Sequence, residues 1–307
     1  MNTSTDRRIA VIGLGSMGGA MAATLHRAGW HVTGFDPSES ARTAAAEAGI
    51  AVTASVEELA GTPYAVLSLP AASVVEATVP QLLAAPGTIA VVDTTTSEPA
   101  TSKQLADLAE ARGAAFVDAP VSGGRDGAAT GTLSAFVGGT DAALAAAEPV
   151  LLALTGGKYN HIGGPGSGNV VKLLNNVLAA ANLVSVGEAL GVAKAYGIDP
   201  VKAAASISEA SGGSKVSANM YPNWVLSGTH DSGFSLGLMA RDAALAVDVA
   251  ARIGENPALL AAVASQWQEA LAVLGPRADF TEIARTVAPA ITPAGAPDTK
   301  NDTTAVA

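Results

Sequence analysis

A lysine and an asparagine lie one helical turn apart in an apolar segment in the middle of the chain. The segment Gly168–Tyr196 is rich in alanine and leucine, which predicts one long helix ending before Gly197. Because apolar residues occupy nearly every face between 170 and 192, we expect this helix to be buried all round. Lys172 and Asn176 would then direct a proton-carrying amine and an amide into one cavity.

A lysine in a buried helix must find an acceptor, extend to solvent or lose its charge. Desolvation can lower the pKa of a lysine toward neutrality, and an amine with such a pKa serves as a general acid or base. The alternative for Lys172 is an ordinary position near a helix end, from which the ammonium reaches water. The segments that precede this helix favour the first interpretation.

A glycine-rich turn near the start of the chain has the pattern of a dinucleotide-binding site. The apolar strand predicted from Ile9 runs into Gly13-Leu-Gly-Ser-Met-Gly18, and an alanine-rich helix follows. In this pattern the first glycine allows a tight turn, the second lets the backbone approach a pyrophosphate, and the third packs the helix against the strand. The N–H groups at the start of the helix would bind the phosphates.

Asp36 stands at the carboxyl end of the next predicted strand, Trp30–Phe35. An acid at this position accepts hydrogen bonds from the ribose hydroxyls of the adenosine half and repels a 2′-phosphate. Pro37 and Ser38 supply no positive charge, so the sequence predicts NAD rather than NADP, although Arg42 follows a turn and a half later.

A second glycine-rich segment, Ser122, Gly123 and Gly124, follows a strand predicted over 114–117. Glycines let backbone N–H groups form an anion-binding concavity, and the Ser122 hydroxyl adds a donor, so a substrate carboxylate is the expected guest. The alternative is a plain surface turn. The serine does not lie in a G-x-S-x-G elbow, which argues against a hydrolase nucleophile.

The elements that must position these residues alternate between strand and helix in the first half of the chain. Strands are predicted over 9–13, 30–35, 64–69, 88–92, 114–117 and 134–137. Such alternation predicts a doubly wound parallel sheet of the α/β class, with ligands outside the carboxyl ends of the strands. The polar loops at Pro70, Thr94–Thr96 and Ser122–Gly124 all fall on that edge.

Beyond the long helix the pattern contains no further convincing strand. Helices are predicted near 200–210, 214–226, 235–253, 257–274 and 279–287. We therefore expect an NAD-binding Rossmann domain over 1–165, an all-helical substrate and oligomerisation domain over 166–288, and a disordered tail over 289–307. Part of the long apolar helix is expected to pack against a second copy of the chain, giving a homodimer or homotetramer.

The composition excludes several classes of function. The 307 residues are 49% apolar and 14% charged, and a net charge of −10 argues against nucleic acid or an anionic membrane as partner. The chain has no cysteine and shows no signal-peptide pattern, so we expect a cytoplasmic protein. The charge-free run 173–187 is too short and too polar for a membrane span. The four histidines are scattered, and no metal is expected.

Four segments together resemble the β-hydroxyacid dehydrogenase family, which includes 3-hydroxyisobutyrate dehydrogenase and tartronate semialdehyde reductase. They occur in family order between about residues 8 and 250: Gly13-Leu-Gly-Ser-Met-Gly18, Asp118-Ala-Pro-Val-Ser-Gly-Gly124, Gly168-Asn-Val-Val-Lys172 with Asn176, and Gly233-Phe-Ser-Leu-Gly-Leu-Met-Ala-Arg-Asp242. The resemblance implies hydride transfer between NAD and a small 3-hydroxy acid, such as hydroxyisobutyrate, glycerate, serine or threonate. The other product is the matching semialdehyde or keto acid.

The resemblance also implies roles for particular residues. Lys172 would be the catalytic acid/base, Asn176 would orient the substrate, and Ser122, Gly123 and Gly124 would bind its carboxylate. The cofactor-binding residues would be Gly13, Leu14, Gly15, Ser16, Met17, Gly18, Asp36, Leu69, Pro70, Thr96 and Arg241. The last of these is a departure, because the family usually has lysine before Asp242, and arginine is bulkier and planar.

Two alternatives stay open. An imine reductase from a sister branch has the same fold, but those enzymes usually lack the lysine found here at Lys172. A catalytically inactive nucleotide-binding scaffold is the second, and the presence of both Lys172 and Asn176 argues against it.

Overall fold

The computed structural model describes residues 6–292, and the chain divides into two compact units between Leu174 and Asn175. The division falls inside the long helix, whereas the domain boundary predicted from the sequence lies just before that helix. Most of the predicted tail, 293–307, lies outside the described residues.

Within the described residues, nine strands of the first unit form one sheet. The strands are β1 Arg8–Ile12, β2 His31–Phe35, β3 Ala51–Val52, β4 Tyr64–Leu67, β5 Ala90–Asp93, β6 Ala115–Asp118, β7 Val121–Ser122, β8 Ser134–Gly138 and β9 Tyr159–Gly163. Their order is β3-β2-β1-β4-β5-β6-β8-β7, with β9 also paired to β8. The helices are α1 Ser16–Arg27, α2 Glu39–Glu47, α3 Ala72–Leu82, α4 Pro99–Ala111, α5 Gly124–Thr130 and α6 Asp141–Thr155.

The predicted Rossmann sheet is confirmed, and its strands are parallel from β3 to β6. The edge beyond β6 is mixed, because β8 pairs antiparallel with both β6 and β7. The sequence analysis does not predict β3 and β7, which have two residues each, too few to show a period. It also misses β9, which is exposed along much of its length and so lacks the apolar run of a buried strand.

Helices cover both faces of the sheet, as the alternation predicts. Ile9 and Val11 of β1 lie in one apolar cluster, whereas Ala10 and Ile12 lie in the cluster on the opposite face. Successive side chains of a strand point to opposite faces, so four consecutive buried residues require a layer on each side. Because β1, β4, β5 and β6 pair in parallel, the loops that follow them lie at the same edge of the sheet.

The long helix, α7, runs from Ser167 to Ala195 and is followed by Gly197 with a φ of +91°. The helical second unit continues with α8 Pro200–Ser208, α9 Leu236–Arg252, α10 Ala258–Leu274 and α11 Ala284–Val287. The helix predicted over 214–226 is present as a π-helical segment, Val216–Val225, and a 3₁₀ segment, Phe280–Ile283, precedes α11.

The middle of α7 lies in the core of the second unit. The Tyr221 hydroxyl donates to the Leu183 carbonyl at 2.6 Å, and the Trp267 indole N–H donates to the Ala180 carbonyl at 3.3 Å. A Cβ at Gly187 would collide with the Tyr221 hydroxyl. These contacts fix the position of α7 along its axis within the unit.

The prediction that α7 is buried all round is wrong for the single chain. Leu174 is 42% exposed, Leu178 is 55% exposed and Val192 is 72% exposed. The other elements of one chain cover only part of the circumference of a helix about 40 Å long. α7 is also long and apolar enough to cross a membrane by length and composition alone, a test that core helices of soluble proteins pass as well.

Candidate active site

The turn between β1 and α1 requires glycine at two of the three glycine positions of its G-x-G-x-x-G pattern. Gly13 has a φ of +89°, and a Cβ there would overlap the Ser68 carbonyl oxygen. A Cβ at Gly18 would overlap the carbonyl oxygen of Gly13 itself. Nothing lies within 4 Å of the corresponding position at Gly15. The first and third glycines therefore close the turn, and the second leaves room for a ligand at the start of α1.

The Asp36 carboxylate is held at the carboxyl end of β2 by backbone donors. One oxygen accepts from the Leu14 N–H and the other from the Ser38 N–H, each at 2.8 Å. Arg42 donates to the backbone carbonyls of Asp36 and Pro37, at 2.6 and 3.0 Å. Asp36 is therefore joined to the glycine turn, and the Arg42 guanidinium is engaged by carbonyl oxygens.

The loops after β4 and β5 are joined to each other. The Leu69 N–H donates to the Thr95 hydroxyl at 3.1 Å, and the Thr95 N–H donates to the Asp93 carboxylate at 3.0 Å. A Leu69 methyl lies 3.3 Å from where a Gly13 Cβ would be. Pro70 is exposed and Thr96 is half-buried at this edge of the sheet. The structure thus brings Leu69 close to the glycine turn, with Pro70 and Thr96 in the two joined loops.

The segment Ser122–Gly124 differs from the loop that the sequence analysis describes. Ser122 ends β7, and Gly124 begins α5. Gly123 and Gly124 have φ values of +122° and +59°, which favour glycine at both positions. Gly123 and Gly124 are exposed, and a Cβ added at either position would meet no atom closer than 3.5 Å, which leaves room for a ligand.

Two buried carboxylates without a predicted role lie side by side in the sheet. Asp93 and Asp118 end the neighbouring strands β5 and β6 and are partners in the register. Burial raises the pKa of Asp93 to about 7, and burial also raises the pKa of Asp118 to about 6 against the opposing effect of backbone donors. An acid at the end of each apolar strand was the sequence signal that could have identified them.

The raised pKa of Asp93 predicts a pH-dependent stability. A carboxyl whose folded pKa lies above its unfolded value contributes stability that is complete below about 3.8 and is lost as the pH rises to about 7. Asparagine carries no such charge, so Asp93→Asn is expected to lack the loss of unfolding free energy that Asp93 causes between pH 4 and 7. Relative to the wild type, the variant should become more stable by on the order of 3 kcal/mol over this range. Urea unfolding of both proteins at pH 4 and at pH 7 measures the difference in the free energy of unfolding.

Asp107→Asn on the exposed face of α4 is the matched control and is expected to leave the pH dependence unchanged. Asp118 retains its own contribution, so the variant keeps part of the wild-type slope. If the free energy of unfolding of Asp93→Asn depended on pH as that of the wild type does, the raised pKa of Asp93 would be contradicted.

A stripe of buried polar side chains follows one face of α7. Asn169 and Asn176 are buried, and Lys172 between them is only 9% exposed. These positions are related as i, i+3 and i+7, so they share a helix face. Asn169 is anchored in the first unit, where its side-chain oxygen accepts from the Ser97 N–H at 2.9 Å. The predicted catalytic lysine thus lies in a buried polar stripe.

In the second unit, Asp242 links two of the predicted site residues. The Asn176 amide donates to one Asp242 oxygen at 2.7 Å. Arg241 donates to the other oxygen through Nε at 3.0 Å and through Nη2 at 2.8 Å. Asp242 is 1% exposed, so this pairing holds a buried carboxylate. Asp242 stands in a sequence motif that predicts no role for it.

The contacts of Asp242 show what Arg241 does at the position where the family usually has lysine. A guanidinium can reach one carboxylate oxygen with two of its nitrogens, whereas a lysine ammonium binds as a single point charge. Arg241 and Asn176 are therefore oriented by a shared acid. Among residues 6–292 no group of three or more acidic or histidine side chains is arranged to hold a metal ion.

Two family patterns match consecutive parts of the chain. Residues 8–163 match the family described as the NAD binding domain of 6-phosphogluconate dehydrogenase. Residues 166–287 match the family described as NAD-binding of NADP-dependent 3-hydroxyisobutyrate dehydrogenase. The junction between the matches lies just before α7.

Similar proteins cover most of the chain. The probable 3-hydroxyisobutyrate dehydrogenase of Mycobacterium bovis is 36% identical over 260 residues, which are 82% of this chain and 88% of that protein. The NAD-dependent L-serine dehydrogenase of Pseudomonas aeruginosa is 36% identical over 257 residues, 80% and 85% of the two chains. The structure of Mycobacterium tuberculosis 3-hydroxyisobutyrate dehydrogenase with L-serine is 33% identical, with a TM-score of 0.85 over 92% of this chain and 99% of that one.

Proposed function

The chain belongs to the 3-hydroxyisobutyrate dehydrogenase family of NAD(P)-dependent oxidoreductases that act on CH–OH groups, and we propose that it uses NAD to interconvert a small 3-hydroxy acid and the matching semialdehyde or keto acid. Lys172 is the acid/base in this proposal. The observation that carries it is the burial of this amine within the polar stripe of α7, one turn from Asn176.

The roles of the cofactor and of the site residues follow from what the oxidation of an alcohol requires. Oxidation removes a hydride from the carbinol carbon and a proton from its oxygen, and a bound NAD supplies the hydride acceptor. Lys172 takes the proton from the hydroxyl in oxidation and returns it to the carbonyl oxygen in reduction. Asn176 donates to or accepts from the same oxygen, and Asp242 fixes the orientation of its amide. Lys172 is only 9% exposed, so its side chain is largely shielded from water.

The β1–α1 turn and its neighbours fit a dinucleotide. The open position at Gly15 accommodates the pyrophosphate beside the N-terminus of α1. Asp36 accepts hydrogen bonds from the adenosine ribose, and its charge disfavours the 2′-phosphate of NADP. Arg42 is not proposed to bind a 2′-phosphate, because its Nη1 already donates to two backbone carbonyls. We therefore propose NAD as the preferred cofactor.

The substrate carboxylate is proposed to bind at Ser122–Gly124. The positive φ angles of both glycines and the Ser122 hydroxyl support an anion site there. Two similar proteins are named for 3-hydroxyisobutyrate and L-serine, and both compounds carry a carboxylate and a hydroxyl on the third carbon. They are the first substrates to test, followed by glycerate and threonate.

The decisive experiment follows NADH formation from these four hydroxy acids with NAD, and NADPH formation with NADP. We expect turnover of at least one acid and a preference for NAD. Reduction of cyclic imines without oxidation of any hydroxy acid would favour an imine reductase instead. Binding of NAD without turnover of any compound would favour a nucleotide-binding scaffold.

The exposed face of α7 supports a homodimer or homotetramer. Leu174 and Leu178 lie four residues apart on that face, and apolar surface of this kind is stabilised by burial against a second copy. We expect light scattering to give the mass of a dimer or tetramer, and Leu178→Glu to lower the association constant at least about 100-fold. Leu259→Glu, at an exposed position of α10, is the control. A stable monomer in the wild type would contradict the assembly.

A further inference from the structure

Two fully buried polar residues hold the first turn of α7, just before the lysine of the proposed function. From the contacts of Asp118 and Asn169 we infer that both are positioning residues, which fix this turn and thereby place the Lys172 amine. The inference rests on the proposed function for its catalytic consequence. The hydrogen bonds themselves belong to the first unit and can be tested without turnover.

Asp118 caps α7 from another element. It ends β6, and its two oxygens accept from the Gly166 N–H at 2.7 Å and the Asn169 N–H at 2.8 Å. The first N–H groups of a helix have no acceptor within the helix, and a carboxylate there also interacts favourably with the helix dipole. One acid from the sheet therefore satisfies donors on both sides of the α7 start.

Close backbone packing leaves the turn little freedom to shift. A Cβ at Gly168 would overlap the Phe136 carbonyl oxygen of β8, and a Cβ at Gly138 would overlap the Asp118 carboxylate. The absence of side chains at both glycines lets the helix start approach β6 and β8 directly. At such packing density a change of one side chain is transmitted to its neighbours.

Asn169 joins the same turn to the loop after β5. Its oxygen accepts from the Ser97 N–H at 2.9 Å, and its amide donates to the Ser102 hydroxyl at 3.1 Å. Ser97 directly follows Thr96, a proposed cofactor contact, and Ser102 lies in α4. Because Lys172 is the i+3 neighbour of Asn169 on the helix, rotation of the first turn would displace its amine.

Asn169→Ala tests the inference without changing the charge of the protein. We expect kcat to fall about 10- to 100-fold while the dissociation constant of NAD changes less than about threefold, since a displacement near 1 Å costs about that much. The kinetic isotope effect on hydride transfer is expected to grow, because a misplaced base slows the chemical step. Ser102→Ala removes one of the two hydrogen bonds of the Asn169 side chain and is expected to give a smaller loss of kcat.

Hydrogen–deuterium exchange provides a readout that does not depend on activity. Amides of 166–172 are expected to exchange at least about tenfold faster in Asn169→Ala and in Asp118→Asn, with the rest of α7 unchanged. Asn160→Ala on the exposed strand β9 is the matched control for both measurements. If Asp118→Asn fails to fold, the comparison of Asn169→Ala with Ser102→Ala still decides the question.

The outcomes separate this inference from the proposed function. Unchanged exchange in Asn169→Ala would show that the side chain does not fix the turn and would overturn the inference. Faster exchange with wild-type kcat would overturn the positioning role and leave the proposed function intact. A wild-type protein inactive on every hydroxy acid would overturn the proposed function, and with it the catalytic part of this inference.

Discussion

Replacing Lys172 with alanine is expected to lower kcat about 100- to 10,000-fold, the range that general acid–base catalysis contributes. The substitution removes the amine that we propose accepts the hydroxyl proton. Because NAD is proposed to bind through the β1–α1 turn and Asp36, its dissociation constant is expected to stay within about threefold of the wild type. Steady-state kinetics with the best substrate of the screen and a fluorescence titration of NADH measure the two effects.

Two further variants show whether the loss comes from the proton transfer. Lys172→Arg keeps the positive charge but cannot be deprotonated, and we expect it to be nearly as inactive as the alanine variant. Lys194→Ala changes an exposed lysine in the last turn of the same helix and is expected to retain full activity. Wild-type turnover in Lys172→Ala would defeat the assignment of the base.

Local patterns in the sequence predict the elements that carry this lysine. The Ala- and Leu-rich run predicts α7 to within one residue at each end, and Gly197 marks where it stops. The β1–α1 turn is predictable for the same reason, because steric demands at Gly13 and Gly18 restrict each position to one residue type. Both predictions depend on interactions between residues close in the chain.

The partners of the site residues could not be predicted in the same way. Asp118 meets Gly166 and Asn169 about fifty positions later, and Asp242 meets Asn176 over a similar separation. A hydrogen bond between distant segments leaves no periodicity in either of them. Both acids therefore stand in sequence motifs that predict no role for them, and only the fold shows what each one holds.

The burial of α7 shows a different limit. Hydropathy indicates that a face avoids water, but it does not say which molecule covers it. Leu178 is more than half exposed in the single chain, although the apolar pattern predicts burial on all sides. The wrong prediction and the proposed assembly therefore have one physical origin, apolar surface that the chain does not cover by itself.

The choice of cofactor yields the second large effect. Asp36→Asn is expected to shift the ratio of kcat/KM for NAD to that for NADP about 100-fold toward NADP. Placing a carboxylate next to a 2′-phosphate costs several kcal/mol, and each 1.4 kcal/mol is a factor of ten. Part of the shift is a loss with NAD, because an asparagine oxygen can replace only one of the two acceptors that now bind the Leu14 and Ser38 N–H groups.

The neighbouring charges make this prediction specific. Glu39→Gln removes one negative charge from the exposed first turn of α2 and is expected to leave the cofactor ratio within about twofold, because that charge is screened by solvent. Arg42→Ala is expected to have a small effect as well, since its guanidinium already binds the carbonyls of Asp36 and Pro37. If Arg42→Ala lowered NADP activity strongly while Asp36→Asn left the ratio unchanged, Arg42 rather than Asp36 would set the preference, and NADP would be the better assignment.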